Sequence, residues 1–157
     1  MQIIFLQIGK TSKSYIEEGI NEFSKRIKNY TRFESKVISI LKNKNKADST
    51  QLKKKEAKLI LAHIEASDFV VLLDEKGKAF RSIQFADWIQ GHLNTSTRRI
   101  FFVVGGAFGF DQCIYQRANM ILSLSAMTFS HQLIRLIFLE QLYRAFTIIR
   151  NEKYHNE

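Results

Sequence analysis

The sequence contains no proline and only one cysteine in 157 residues. Prolines and runs of low complexity often separate domains, and neither divides this chain. The length is also that of one ordinary domain. We therefore expect a single domain over residues 1–157. The lone thiol, Cys113, cannot form an internal disulfide, which fits a reducing compartment, and we expect it to be a small buried side chain in a helix.

Long apolar runs are missing as well. No apolar stretch reaches the roughly 18 residues that a membrane-spanning helix needs. The opening MQIIFLQIGK lacks the basic start and the small-residue cleavage site of a signal peptide. Cysteine and histidine never occur at metal-ligand spacing, and no G-x-S-x-G nucleophile elbow or obvious carboxylate pair is present. These absences predict a cytoplasmic protein with no membrane partner and no metal.

Positive charge is what the sequence has in excess. Lysine and arginine number 24 against 15 acidic residues, which gives a formal charge of +9. Residues 1–60 contribute +8 of this charge and residues 61–157 only +1. A lysine cluster between Lys36 and Lys58 would attract phosphates, although a solvated surface that keeps the protein soluble explains it equally well. The RNA-binding candidates in this cluster are Lys53, Lys54 and Lys55.

Strand and helix patterns alternate along the chain. Apolar strands are predicted at 1–9, 33–41, 69–74, 98–106 and 121–125, with helical apolar spacing between them. Several strands are continuously apolar, which is typical of a parallel sheet covered on both faces. The predicted fold class is therefore α/β, with a mostly parallel sheet flanked by helices.

The last predicted helix, from about Gln132 to Arg150, is apolar on two sides. A helix with two apolar faces needs two partners. One partner is expected to be the chain's own sheet, and we favour a second copy of the chain as the other. The alternative is a helix completely buried in the core of a monomer.

Three candidate ligand segments each follow a predicted strand. They are Leu73 and Asp74 at the end of FVVLLD, the glycines of FVVGGAFGFD (102–111), and LSLSAMTFSHQLIR (122–135). In a parallel sheet all three would lie at the carboxyl edge, where ligands of such sheets bind. Each also fits a plainer interpretation, a tight turn or a capped helix, with Ser130 as the N-cap and His131 as a structural histidine. Their shared position favours one ligand site.

The C-terminal segment LYRAFTIIRNEKYHNE offers another group of functional side chains. Arg144 and Arg150 can bind phosphate, Tyr154 can stack on a base, and His155 can titrate near neutral pH. The alternative for this segment is a disordered charged tail.

Three blocks together resemble a known family. LLDEKGK, FVVGGAFGF and LSLSAMTFSHQLIRLIFLEQLYRAFTIIRNEKYH are similar to the RlmH family of the SPOUT superfamily, bacterial methyltransferases of large-subunit ribosomal RNA. The similarity extends from the first strand to the tail. The chain differs from the common pattern of the family at Ser130, where proline often precedes the histidine, and at Asn156, where a basic residue or histidine is frequent.

The resemblance implies a SPOUT-type α/β fold with a C-terminal trefoil knot, a homodimer, and S-adenosylmethionine as methyl donor. It implies as substrate N3 of a pseudouridine in helix 69 of 23S ribosomal RNA, within the assembled ribosome. By position, the cofactor contacts of the family correspond to Leu73, Gly105, Leu124, Ser125, Ala126, Met127, Thr128 and Phe129. The residues expected around the acceptor base are His131, Arg144, Tyr154 and His155.

Two alternative functions remain open at the level of sequence. A non-enzymatic protein that binds ribosomal RNA through its lysines would have no reason to bind S-adenosylmethionine. A knotted methyltransferase acting on transfer RNA or on a ribose hydroxyl would leave a different modified nucleoside. Cofactor binding tests the first alternative, and mass spectrometry of the product tests the second.

Overall fold

The computed structural model describes residues 1–39 and 48–154. In these ranges strands and helices alternate in the order β1 (Gln2–Ile8), α1 (Ser14–Ile27), β2 (Arg32–Ile38), α2 (Ser49–Leu61), β3 (Phe69–Ala79), α3 (Ser82–Asn94), β4 (Arg99–Val104), α4 (Gln112–Arg117), β5 (Met120–Ser123) and α5 (Leu133–Ile149). The predicted alternation is confirmed. The predicted end of the second strand, at Leu41, lies outside the described residues, whereas β3 continues past Asp74 to Ala79.

The five described strands form one parallel sheet in the order β2-β1-β4-β3-β5. A helix connects each strand to the next, as parallel strands require. The carboxyl ends of the strands therefore all lie at the same edge of the sheet. The predicted α/β class with a parallel sheet is confirmed, and the trefoil knot stays a prediction.

Helices cover both faces of the sheet. On one face α1 and α3 pack against α5, and on the other face α2 contacts α4. Side chains along β1 alternate between the two cores, with Ile3 and Phe5 in the α5 core and Ile4 and Leu6 in the α2–α4 core. The strands are apolar without alternation because both of their faces are buried.

Helix α5 is apolar on more than one side, but its sides divide differently from the sequence pattern, because Leu136, Leu139 and Tyr143 all lie in or against the core. Phe138 is completely buried, and its ring centroid lies 4.9 Å from that of Phe5 and 4.6 Å from that of Phe102. Leu133 and Ile137 lie elsewhere on the helix, are only half-buried, and belong to neither core cluster of the described residues. One face of α5 thus completes the core, and the other remains partly open.

Helix α4 is short and covers little of the sheet. The Asp111 carboxylate caps it by accepting a hydrogen bond from the Cys113 N–H at 3.0 Å. Ile114 is the residue that α4 buries, whereas Cys113 is exposed, so the expectation of a buried thiol is wrong. None of the helices in the described ranges is long and apolar enough to cross a membrane.

Candidate functional site

A cleft of about 780 Å³ opens at the carboxyl edge of the sheet, where β3, β4 and β5 end. Its walls come from the segments 73–76, 104–112 and 124–131, in which Ala126 is the one residue that does not line the cleft. These are the three candidate ligand segments of the sequence, and the structure brings them together. Seven of the eight predicted cofactor contacts line the cleft: Leu73, Gly105, Leu124, Ser125, Met127, Thr128 and Phe129.

An interruption in β3 forms the first wall. Leu73 and Lys78 both pair with Leu122 of β5, so that residues 74–77 leave the ladder, and residues 74–76 line the cleft. The chain can return to the ladder because residue 77 is glycine. A Cβ atom on Gly77 would lie only 2.5 Å from the carbonyl carbon of Ile121.

Asp74 fixes the shape of this interrupted segment. Its carboxylate accepts hydrogen bonds from the Lys76 N–H at 2.9 Å and from the Tyr115 hydroxyl at 2.5 Å. Burial and the Asp74 carboxylate both raise the pKa of Tyr115, so this hydroxyl stays protonated and remains a donor. The first wall is therefore held to helix α4.

The second wall is a tight turn over residues 105–109. The Gly109 N–H donates to the Gly106 carbonyl at 3.2 Å, and Phe108 at the tip of the turn is 59% exposed. Behind the turn lies Glu56 of α2, which is 6% exposed and accepts a hydrogen bond from the Gly106 N–H. Burial raises the pKa of Glu56 and this hydrogen bond partly opposes the rise.

Gly106 packs closely against this carboxylate. A Cβ atom on Gly106 would lie 2.5 Å from Oε1 of Glu56. Any other residue at position 106 would therefore make the end of the Glu56 side chain or the turn shift.

The third wall is a series of turns stabilised by hydroxyl groups. The Ser123 hydroxyl donates to the Ser125 carbonyl, and the Ser125 hydroxyl accepts from the Met127 N–H, both at 2.9 Å. Thr128 then donates to Oε2 of Glu75 at 2.5 Å, which joins the third wall to the first. Two serine hydroxyls thus hold backbone groups at the cleft, and Thr128 holds a side chain of the first wall.

Ser130 and His131 complete the third wall. The Ser130 hydroxyl accepts from the N–H of Leu133, the first residue of α5, at 3.2 Å, but the N-cap of α5 is Gln132 and not Ser130 as predicted. Ser130 and His131 both line the cleft. Burial, and then the positive charge of Arg135, lower the pKa of His131. A neutral imidazole is therefore favoured at pH 7, and a neutral imidazole can accept a proton.

Arg135 is a residue of this region that the sequence analysis missed. It is completely buried in α5. Its guanidinium donates at 2.6, 2.9, 3.1 and 3.0 Å to four oxygens: the carbonyl of Ile8, the carbonyl of Gly9, the hydroxyl of Thr11 and the carbonyl of His131. It therefore ties the carboxyl end of β1 to the start of α5. The sequence signal that could have revealed this residue is the position of an arginine inside the apolar run LIRLIF.

Arg144 and Tyr154 do not line the cleft. About 13 residues, nearly all in α5, separate Arg144 from His131, which corresponds to roughly 20 Å along a helix. Glu140 accepts hydrogen bonds from Arg144 and, at 3.0 Å, from the Tyr154 hydroxyl. The Arg144 guanidinium also lies 4.8 Å from the centre of the Tyr154 ring. His155, the remaining predicted acceptor-site residue, lies outside the described residues.

Comparison with known proteins shows which family the chain belongs to. The family model described as "Predicted SPOUT methyltransferase" matches residues 1–155. The chain belongs to the SPOUT methyltransferase family. The resemblance that three sequence blocks indicate is confirmed over almost the whole length, and the chain is a methyltransferase that uses a methyl donor.

Relatives of this SPOUT methyltransferase match it from end to end. A protein of Christiangramia forsetii is 50% identical over 156 residues, 99% of both chains. A protein of Parabacteroides distasonis is 48% identical over 157 residues, the whole of both chains. One of Cytophaga hutchinsonii is 46% identical over 156 residues, which cover 99% of this chain and the whole of that one. Each of the three is named Ribosomal RNA large subunit methyltransferase H.

The lysines of the SPOUT methyltransferase are divided between the cleft and the surface of α2. Lys53 lines the cleft, and Lys54 and Lys55 are exposed on the same helix. The part of the lysine cluster at 42–46 lies outside the described residues. Within residues 1–39 and 48–154, no three His, Cys, Asp or Glu side chains are grouped so as to hold a metal ion.

Proposed function

We propose that this SPOUT methyltransferase transfers the methyl group of S-adenosylmethionine to N3 of a pseudouridine in helix 69 of 23S ribosomal RNA, within the assembled ribosome. The observation that carries the proposal is the cleft at the carboxyl edge of the sheet, formed by the three segments that the resemblance assigns to the cofactor. The names of the full-length relatives support ribosomal RNA of the large subunit as the class of substrate.

The cleft suits S-adenosylmethionine in size and in chemistry. Its volume of about 780 Å³ falls within the range of roughly 300–1,000 Å³ that is usual for small-ligand pockets. The turns at 105–109 and 124–128 offer backbone N–H and C=O groups to the adenine and the amino-acid part. Apolar contact is available from Leu73, Leu124, Met127 and Phe129. When bound, S-adenosylmethionine supplies an electrophilic methyl group on a sulfonium sulfur.

His131 is the residue we assign to the proton of the acceptor base. N3 of pseudouridine carries a proton that must leave when N3 attacks a methyl group, and its pKa lies well above neutrality. His131 lines the cleft, and its lowered pKa leaves the ring free to accept that proton at pH 7. The walls hold the reacting groups in line, which a displacement at carbon requires.

We infer a homodimer in which Arg144 and Tyr154 of one subunit act at the cleft of the other. Neither residue lines the cleft: Arg144 lies 13 residues after His131, and the Tyr154 hydroxyl donates to Glu140 in the middle of α5. The half-buried apolar face of α5, with Leu133 and Ile137, can supply a two-fold contact in which the same surface is buried on both subunits. At the shared site, Tyr154 can stack on the base and Arg144 can stabilise the N3 anion or hold a phosphate.

Lysines of α2 complete the proposed RNA surface. Lys53 faces the cleft, and Lys54 and Lys55 extend the positive charge along the exposed side of the same helix. We propose that they hold phosphates of the ribosomal RNA and take no part in the chemistry.

Methyl transfer to ribosomes tests this proposal. Tritiated S-adenosylmethionine is incubated with the protein and with ribosomes from a strain that lacks this methyltransferase, and label in 23S ribosomal RNA is counted. His131→Ala should slow transfer by about 100-fold or more, the usual loss for a proton-transfer residue. The matched control is His63→Ala, which removes an exposed histidine just after α2. Ribosome binding without any uptake of S-adenosylmethionine would instead favour the non-enzymatic RNA-binding protein.

A further inference from the structure

We propose that Tyr30 and Asn151 are positioning residues that hold the C-terminal segment in a folded conformation needed for methyl transfer. This inference rests on the proposed function, because Tyr154 of that segment is assigned to the acceptor base. Neither residue lines the cleft. Their role follows from the way in which the chain turns at the end of α5 and from the contacts that fix it there.

A Schellman motif reverses the chain after α5. The Asn151 N–H donates to the Ile148 carbonyl at 3.0 Å, and the Glu152 N–H donates to the Thr147 carbonyl at 2.9 Å. Asn151 has a φ of 54°, in the left-handed region that only glycine and asparagine adopt readily. The residue type at 151 therefore determines whether the segment folds back along the helix or continues away from it.

Tyr30 holds the reversed segment from the turn between α1 and β2. Its hydroxyl donates to Oε2 of Glu152 at 2.5 Å. Its ring stacks on Phe146 at a centroid distance of 5.5 Å, and the Arg150 guanidinium lies 4.8 Å from the ring centre. Burial and the Glu152 carboxylate raise the pKa of Tyr30, so the hydroxyl stays protonated and keeps donating.

Glu152 connects Tyr30, the anchor of the reversed segment, to Tyr154, whose ring is proposed to stack on the base. Its carboxylate accepts from Tyr30, and its carbonyl accepts from the Tyr154 N–H at 2.9 Å. Tyr154 then packs against the Tyr143 ring at a centroid distance of 4.8 Å and donates to Glu140. Losing the contact to Tyr30 should therefore release the backbone that orients Tyr154.

The anchor lies at the surface, so its effect can be separated from stability of the core. Tyr30 is half-buried and Glu152 is exposed. Tyr30→Phe removes one hydroxyl and keeps the ring contacts, and Asn151→Gly keeps the left-handed turn, whereas Asn151→Val opposes it. Tyr15→Phe is the matched control, because Tyr15 is a 65% exposed tyrosine of α1, remote in sequence from the tail.

The experiment measures kcat and KM for ribosomes together with the Kd for S-adenosylmethionine by calorimetry, all on the full chain. Tyr30→Phe should lower kcat/KM for ribosomes about tenfold, the scale of one hydrogen bond to a charged group. Asn151→Val should lower it at least as much, while Asn151→Gly and Tyr15→Phe should retain it. The Kd for S-adenosylmethionine should stay unchanged in all four variants. In Tyr30→Phe and Asn151→Val, amide hydrogen exchange should become faster only in the residues after 149.

Tyr154→Ala separates failure of the anchor from failure of the proposed function. If Tyr154→Ala transfers methyl groups normally, the assigned role of the tail is wrong, and the anchor is overturned with it. If Tyr154→Ala is impaired while Tyr30→Phe and Asn151→Val are normal, the anchor alone is overturned. A loss of S-adenosylmethionine affinity in Tyr30→Phe would also overturn it, because that outcome indicates a general structural defect.

Discussion

At the scale of single residues, two buried charged side chains shape the site without lining the cleft. Arg135 satisfies its donors with three carbonyls and one hydroxyl, and Glu56 accepts the N–H of Gly106, which packs closely against its carboxylate. Buried charges are costly unless they are hydrogen-bonded. Each side chain forms hydrogen bonds with backbone groups that would otherwise be unpaired.

Arg135→Met should destabilise the protein strongly. The methionine fills part of the volume, but the carbonyl of buried Ile8 and the carbonyl of half-buried Gly9 both lose this donor. We expect a loss of about 3 kcal/mol or more in the free energy of unfolding. Urea denaturation checks this value, with Arg98→Met, which changes an exposed arginine just before β4, as a comparison. A loss below about 1 kcal/mol would contradict the bridging role of Arg135.

Glu56→Gln should change how stability depends on pH. Burial raises the pKa of Glu56 above its ordinary value of 4.5, so the folded protein binds this proton more tightly than the unfolded chain. The contribution of Glu56 is therefore fully present below pH 4.5 and is lost as pH rises through the folded pKa. Glutamine keeps an acceptor for Gly106 and has no charge. The stability of the variant relative to the wild type should rise with pH between 4.5 and neutrality, and a constant difference would contradict the raised pKa.

At the scale of elements, the sequence predicts the strands and the site loops better than the details that join them. Apolar runs locate all five strands, and the carboxyl-end rule places Leu73, Gly105 and Met127 at one cleft before any coordinates. The interruption in β3 escapes prediction because it depends on Gly77 meeting a backbone that is distant in sequence. Arg135 escapes because its partners follow a different strand, more than 100 residues earlier.

The turn at 105–109 gives a direct test at this scale. Gly106→Ala places a Cβ atom 2.5 Å from the Glu56 carboxylate, so this buried carboxylate or the turn must shift. Strain of this kind costs about 1–3 kcal/mol, and the affinity for S-adenosylmethionine should fall about tenfold or more. Gly91→Ala in α3 is the matched control, because a Cβ there meets no atom within 4 Å. Calorimetric titration measures the affinity of both variants for S-adenosylmethionine. Equal affinities in the two variants would place the cofactor elsewhere.

At the scale of the whole molecule, α5 links the two parts of the proposed active site. Its first residues follow His131 at the cleft, and its middle carries Glu140 and Tyr143, against which Tyr154 packs without lining the cleft. A single subunit therefore separates groups that the proposed reaction needs together. A two-fold dimer through the half-buried face of α5 would unite them.

Mixing two inactive variants tests this sharing. His131→Ala and Tyr154→Ala are each expected to be defective, but a mixed dimer contains one site with both residues intact. Random exchange makes half of the dimers mixed, each with one working site of two, so activity should return to about a quarter of the wild-type value. Sedimentation should show a particle of twice 18.3 kDa. Mixtures that stay inactive while forming dimers would mean that each site is built within one subunit.

The measurement that tests the central claim most directly is identification of the methylated nucleoside. Ribosomes from a strain lacking the methyltransferase are incubated with the protein and S-adenosylmethionine, and 23S ribosomal RNA is digested and analysed by mass spectrometry. The predicted result is one new nucleoside, a pseudouridine methylated on N3, in the fragment that contains helix 69. This nucleoside should be absent when the His131→Ala variant replaces the wild-type protein. Methyl groups found instead on a ribose, on transfer RNA, or nowhere would contradict the account.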